Sequence, residues 1–162
     1  MTRGDARELA VHLIYSREFT GDDPHQIVSQ RLVEEYYAEL AEENEIYTDR
    51  PSNRQVRYID SVVAGVAEQE QTLNDIIGKF SIGWDVKRIS RLARAILQLA
   101  VYEILYVEDV PEGVAVSEAV RLVKKYDADS SAFVNGILGS FVRSRKEPDS
   151  GEPEDTAATE EV

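Results

Sequence analysis

ISRLARAILQLAVYEILY, residues 89–106, is the stretch that decides the fold. Its apolar residues recur every three or four positions, which is the spacing that brings side chains onto one face of an α-helix. The stripe consists of Ile89, Leu92, Ile96, Leu99, Tyr102 and Tyr106, with Ala95 and Ala100 beside it. The pattern predicts an amphipathic helix that packs against a hydrophobic core.

The same helical spacing recurs on both sides of this stretch. The predicted helices run over about 3–19, 24–46 and 53–80 before it, and begin near 116 and 129 after it. VPEG at 110–113 interrupts the pattern, because proline and glycine punctuate helices. No run of alternating apolar residues is bounded as a strand would be. The sequence therefore predicts an all-α protein.

Two polar segments divide the chain. YTDRPSN at 47–53 contains a proline that disfavours helix at the residue before it, and it separates a first half, about 1–47, from a second, about 53–145. The segment 146–162 holds seven acids, one lysine and no aromatic residue, so its apolar surface is too small to offset its ordering entropy. We expect one helical domain, 1–145, followed by an acidic disordered tail, 146–162.

Composition excludes several classes of function. The absence of cysteine excludes disulfides, thiolate metal sites and a cysteine nucleophile. His12 and His25 fall in different helices and outside any metal-binding motif, and the chain has no glycine-rich nucleotide motif. We therefore predict no metal, no cofactor and no catalytic residue, so the protein is not an enzyme. Its polar start and the lack of an apolar run of about 18 residues predict a cytoplasmic protein without a membrane segment.

The formal charge of −13 argues against general affinity for polyanions, although nearly half of it lies in the segment 146–162. Basic residues nevertheless cluster in two places. Lys87, Arg91 and Arg94 share one helical face, which predicts either contact with phosphate or an acidic partner, or a solvated face opposite the core. Arg3 and Arg7, one turn apart, form a second and smaller group.

Several motifs, taken in order, resemble the NusB family. They are ARELAVHLIY at 6–15, WDVKRI at 84–89, RAILQLAVYE at 94–103, DVP at 109–111, VAVSEAV at 114–120, Lys124 and FVNGIL at 133–138. The resemblance covers about residues 3–142. It implies about seven helices in two small helical subdomains, joined near the polar segment 47–53.

The resemblance also implies a function. Proteins of this kind are transcription antitermination factors that pair with the ribosomal protein NusE and bind boxA-type single-stranded RNA. They act with NusA, NusG and RNA polymerase, and they support transcription of ribosomal RNA operons. The alternative that the sequence leaves open is a protein-interaction scaffold, such as a homodimer, with little RNA binding of its own.

The resemblance assigns candidate RNA-binding residues. Arg3 and Arg7 match the arginine-rich start of the family, although Gly4 and Asp5 interrupt the basic run here. Phe133 matches an aromatic residue implicated in RNA binding, because single-stranded RNA exposes base faces on which aromatic rings stack. From spacing alone, Phe133 is also compatible with the core.

Candidate partner contacts lie elsewhere in the same motifs. Glu118 and Lys124 match polar positions near the surface that receives NusE, and Lys124 is also a candidate RNA contact. Glu103 follows the central tyrosine and is either a partner contact or a buried acceptor of hydrogen bonds. Arg91 and Arg94 complete the predicted partner surface.

Overall fold

The computed structural model describes residues 1–84 and 89–146. In these two ranges the chain forms eight α-helices and no strand, which confirms the predicted all-α class. Single turns of 3-10 helix lie at Glu45–Tyr47 and Ala128–Ser130. The α-helices are α1 (Arg3–Thr20), α2 (Pro24–Arg31), α3 (Glu34–Leu40), α4 (Asn53–Glu68), α5 (Glu70–Lys79), α6 (Arg91–Tyr106), α7 (Glu112–Tyr126) and α8 (Ser131–Lys146).

Helix α6, the predicted central helix, lies in the middle of the molecule. It begins after Ser90, whose hydroxyl accepts a hydrogen bond from the backbone N–H of Ala93 at 3.0 Å. Helices α1, α4, α5, α7 and α8 all contact it. Because neighbours surround it, α6 is buried on most of its circumference and not only along the predicted stripe.

Helices α4 and α6 approach each other closely at Gly65. A Cβ atom added to Gly65 would lie 2.1 Å from the hydroxyl oxygen of Tyr102, which is far inside van der Waals contact. Only glycine leaves room for the tyrosine ring at this crossing. Packing of this kind explains a glycine in the interior of a helix, where it costs about 1 kcal/mol relative to alanine.

The prediction of a single helix over 24–46 was wrong. Leu32 and Val33 separate α2 from α3, and Arg50 donates to the backbone oxygen of Leu32 at 2.7 Å. The break shifts the helical phase, so Tyr37 is buried and Tyr36, which the uninterrupted period placed in the stripe, is 43% exposed. The predicted helix over 53–80 is likewise divided at Gln69, into α4 and α5.

Long-range contacts define two ends of the helix bundle. Arg7 of α1 meets Glu103 near the end of α6, whereas Glu18 of α1 lies beside Arg91 at the start of α6. The two helices therefore run antiparallel. We call these two regions the Arg3 end and the Arg91 end, and about 18 Å of helix separates Arg91 from Glu103.

Buried residues from both predicted halves form one hydrophobic cluster, so the core is continuous. The division into subdomains at 1–47 and 53–145 stays a prediction. Lys146, placed in the tail by the sequence analysis, is the last residue of α8, and the rest of the predicted tail, 147–162, lies outside the described residues. Among the residues that the structure describes, none of the helices combines the length and apolar character that crossing a bilayer requires.

Candidate nucleic-acid interface

Three arginines line one groove at the Arg3 end, which we call the arginine groove: Arg3, Arg54 and Arg57. Its volume is about 620 Å³, within the usual range of ligand-binding clefts. Ser52, Gln55, Tyr58, Val107 and Asp109 are among the other lining residues. The residues that line the groove therefore include three arginines and a single acid, so its charge is positive.

The first turns of two helices lie at this groove. Thr2 caps α1 in a reciprocal pair of hydrogen bonds with Asp5, and Ser52 caps α4 in the same way with Gln55. Gln55 also donates to the backbone oxygen of Met1 at 2.7 Å, which ties the two helix starts together. The positive ends of both helix dipoles add to the arginine charge, so the groove suits an anion.

The three arginines differ in how firmly they are held. The Arg3 side chain is 49% exposed, lies 3.5 Å from Asp109 and stands over the Tyr58 ring at 5.6 Å. Arg54 and Arg57, three residues apart on α4, are exposed. Within 1–84 and 89–146, neither has a carboxylate oxygen within 4 Å. These two guanidinium groups are therefore available to phosphate oxygens.

Arg7 points into the protein and not toward the groove. Its Nε and Nη2 atoms donate to the two carboxylate oxygens of Glu103 at 2.9 and 3.1 Å, and Nη1 donates to Glu118 at 3.2 Å. Burial by itself would lower the pKa of Arg7, but the hydrogen bonds and charge of Glu103 outweigh it and raise the pKa. With 4% of its side chain exposed, Arg7 offers no surface to RNA in this conformation, which corrects the expectation of a direct contact.

Glu103 is fully buried, so it occupies the second of the two roles that the sequence left open. It accepts a hydrogen bond from Tyr58 at 2.7 Å in addition to those from Arg7. Burial, together with the negative charge of Glu103, raises the pKa of Tyr58, which stays protonated as the donor. An intact fold leaves Glu103 no surface for a partner protein.

Glu118 is partly exposed and belongs to a row of ion pairs between α1 and α7. It accepts from Arg121 at 3.0 Å as well as from Arg7, and the hydrogen bond from Arg121 lowers the pKa of Glu118. Lys125 donates to the buried Glu8 at 2.8 Å. This row fixes α7 against α1, and Lys124 beside it is exposed.

Phe133 lies in the core and not at the surface, with 6% of its area exposed. Trp84 covers it edge-on, with ring centroids 5.2 Å apart, and is itself 44% exposed. The aromatic ring that this region presents to a ligand is thus the one on Trp84. Arg145, in the last turn of α8, pairs with Glu112 three residues after Asp109 of the groove. Phe133 lies twelve residues, or about 18 Å, before Arg145 on α8, so Phe133 and the arginine groove belong to opposite ends.

Arg91 and Arg94 lie on the first turn of α6. Arg91 stands over the Phe19 ring at 5.0 Å and lies 3.8 Å from Glu18, with 60% of its side chain exposed. Arg94 is half-buried. Lys87, the third member of the predicted basic face, lies outside the described residues.

His12 has a structural role in a partly buried chain of polar side chains. Its ring nitrogens lie 3.0 Å from the Tyr47 hydroxyl and 2.9 Å from the Tyr126 hydroxyl, and Tyr126 in turn donates to Glu8. Burial lowers the pKa of His12 to about 4, so the ring is neutral near pH 7. In the ranges 1–84 and 89–146, no three histidine, cysteine or acidic residues are grouped so that they would hold a metal ion.

The structure thus distributes the predicted site over two ends of the bundle. Arg3, Arg7, Glu103 and Glu118 lie at the Arg3 end, whereas Arg91, Arg94, Lys124 and Phe133 lie at the Arg91 end. The predicted site did not include Arg54 and Arg57, although they are about one helical turn apart just after the capping Ser52, as Arg3 and Arg7 are after the capping Thr2. It also missed Trp84 as the exposed ring beside Phe133.

Comparisons with known proteins agree with this architecture. The model of the family described as the NusB family matches residues 4–143. The transcription antitermination protein NusB of Symbiobacterium thermophilum is 40% identical over 147 residues, which cover 90% of this chain and 92% of that protein.

Solved structures share the fold. A structure of T. maritima NusB superposes with a TM-score of 0.71 at 26% identity, covering 88% of this chain and 92% of that one. A structure of the antitermination factors NusB and NusE in complex with double-stranded RNA has a TM-score of 0.67 at 24% identity, covering 88% and 96%. At that identity, the second likeness concerns the fold alone.

Proposed function

The chain belongs to the NusB family, and we propose on this basis that it is a transcription antitermination factor that pairs with ribosomal protein NusE and binds boxA-type RNA. It acts in the cytoplasm within an assembly that includes NusA, NusG and RNA polymerase, and it supports processive transcription of ribosomal RNA operons. It binds its partners and catalyses no reaction. The arginine groove is the observation that carries this proposal.

The groove binds RNA through its phosphates. Arginine forms paired hydrogen bonds to phosphate oxygens, and Arg54 and Arg57 have no described carboxylate that competes for them. Arg3 supplies a third guanidinium from the opposite wall. Such contacts hold the strand and fix its position, whereas the base sequence is read by contacts to base edges. Because only a few phosphates are neutralised, binding is compatible with the acidic charge of the whole chain.

Arg7 acts as a positioning residue in this proposal. It anchors Glu103, Glu103 holds the Tyr58 hydroxyl, and the Tyr58 ring lies under the Arg3 guanidinium. The buried pair therefore supports one wall of the groove without touching RNA.

NusE docks at the Arg91 end. Three large apolar side chains are exposed there, Phe19 at 56%, Ile82 at 86% and Trp84 at 44%, and Arg91 stands over the Phe19 ring. Aromatic and arginine side chains supply much of the energy of protein interfaces. We expect Trp84→Ala to weaken NusE binding about tenfold. Tyr106→Ala removes a similarly exposed ring at the Arg3 end and should leave NusE affinity unchanged.

The RNA contact is tested by titrating labelled boxA-type RNA with protein and NusE over a range of salt. Each phosphate contact to single-stranded RNA contributes about 0.7 to the slope of log affinity against log salt. One contact therefore strengthens binding about fivefold at 0.1 M salt relative to 1 M salt. Loss of two contacts in the Arg54→Gln/Arg57→Gln variant should therefore weaken binding about 25-fold and reduce the slope by about 1.4.

The matched control is Lys79→Gln/Arg143→Gln, which removes the same charge from two exposed side chains outside the groove. An equal loss in both variants would mean that overall charge and not the groove governs binding. If boxA-type RNA bound no better than scrambled RNA, the protein-only scaffold would replace the proposed function.

A further inference from the structure

The end of α8 is linked to the arginine groove by two ion pairs. Arg145 forms an ion pair with Glu112 at the first residue of α7. Three residues before Glu112, Asp109 pairs with Arg3 at 3.5 Å and lines the groove. Two ion pairs and four residues of chain thus connect the last turn of α8 to a wall of the groove, so α8 ends at the Arg3 end of the bundle.

The chemistry of the residues that follow is opposite to that of the groove. Residues 147–162 contain seven acidic side chains and no lysine, arginine or histidine. Fully extended, these sixteen residues reach about 50 Å. Two ion pairs and four residues of chain, at most about 14 Å long when extended, separate Arg145 from Arg3, so this reach is enough to bring the acids to the groove.

We propose that the acidic segment 147–162 occupies the arginine groove in the absence of RNA, and that RNA displaces it. Carboxylates and phosphates make the same paired hydrogen bonds to guanidinium groups. Arg54 and Arg57 are exposed, and neither has a carboxylate within 4 Å among the described residues, so both are open to the segment. The proposal rests on the proposed function for the identity of the ligand that displaces the segment.

A tethered segment needs only weak contacts to compete. The tether gives it an effective concentration in the millimolar range, whereas a single exposed ion pair contributes little. The segment therefore competes with polyanions for the groove although each of its contacts is weak, and RNA that makes more contacts can replace it. We expect it to weaken RNA binding about three- to tenfold at 50 mM salt, and less at higher salt because the contacts are screened.

Groove occupancy can be measured without RNA. The chain has no cysteine, so Ser150→Cys provides a unique site for a paramagnetic spin label on the full-length protein. At 50 mM salt we expect the label to broaden the backbone amide signals of Arg3, Arg54 and Arg57, and 0.5 M salt should restore them. Replacing the seven acids of 147–162 with their amides should abolish the broadening. Broadening that is absent, or that survives in the amide variant, overturns the proposal.

RNA affinity provides the second measurement. The amide variant should bind boxA-type RNA about three- to tenfold more tightly than the wild-type protein at 50 mM salt. The matched control replaces seven exposed acids of the first half with amides and changes the net charge equally; its affinity should rise less than twofold. These acids are Glu34, Glu35, Glu39, Glu42, Glu43, Glu45 and Asp49.

The two measurements separate this inference from the proposed function. An equal gain of affinity in both variants overturns the competition, because it would reflect net charge alone. Groove broadening in a protein that binds no RNA supports occupancy of the groove by the segment and overturns the proposed function. RNA binding without groove broadening overturns occupancy and leaves the proposed function in place.

Discussion

Replacing Arg7 with methionine should destabilise the fold by about 3–5 kcal/mol, because it leaves the carboxylate of Glu103 buried without its cationic partner. Glu103 is 0% exposed, and after the replacement only the hydroxyl of Tyr58 would still donate to it. Glu118 would keep Arg121 and contribute little to the loss. For a chain of this length, such a change lowers the melting temperature by about 10 °C.

Urea denaturation followed by circular dichroism measures this loss, and Arg3→Met is the matched control. Arg3 is half-exposed and its pair with Asp109 lies in solvent, so the control should cost less than about 1 kcal/mol. The double variant Arg7→Met/Glu103→Leu removes both charges and should recover part of the loss, since an apolar pair can replace a buried ion pair. A loss below about 1 kcal/mol for Arg7→Met would refute the buried role and return Arg7 to the RNA-contacting residues.

Three further predictions concern the fold. Gly65→Ala should destabilise the fold by about 1–3 kcal/mol because the new methyl group meets the Tyr102 ring. Gly78→Ala is the control: its Cβ position has open space around it, so this change should stabilise the fold by about 0.5–1 kcal/mol, and urea midpoints compare the two variants. Ser90→Ala removes the cap of α6 and should cost about 1–2 kcal/mol in the same assay. The pKa of His12 is about 4 in the folded protein and 6.5 in the unfolded chain, so protonation favours unfolding and stability falls as the pH drops through this window. The stability cost of His12→Gln measured at pH 7 should therefore shrink by up to about 3 kcal/mol at pH 4. A cost that does not depend on pH would contradict the low pKa of His12.

Much of the fold was predictable because helical periodicity is a local property of the sequence. The spacing of apolar residues over 89–106 predicted α6, and Ser90 as its cap is equally local. Helix breaks were harder to predict, because the apolar residues on each side of a break keep the helical spacing and only their phase changes. The Leu32–Val33 break is evident only from burial in the folded protein, because Tyr37 and not Tyr36 lies in the core.

The candidate site was less predictable because its residues are distant in the sequence. Arg3 and Arg7 share the spacing of one helical turn, and nothing local distinguishes them. Arg7 turns inward because Glu103, 96 residues away, lies within the fold to receive it. In the same way, Phe133 is withdrawn from the surface by the ring of Trp84.

By itself, the sequence determined the helical class, the central helix and the family resemblance, because apolar spacing, capping residues and motif order are properties of the sequence alone. The tertiary structure decided which charges face solvent. Pairing a buried guanidinium with a buried carboxylate requires two helices to meet, and a groove of three arginines requires α1 and α4 to begin at the same place. Both depend on how the helices pack against one another, which no local pattern records.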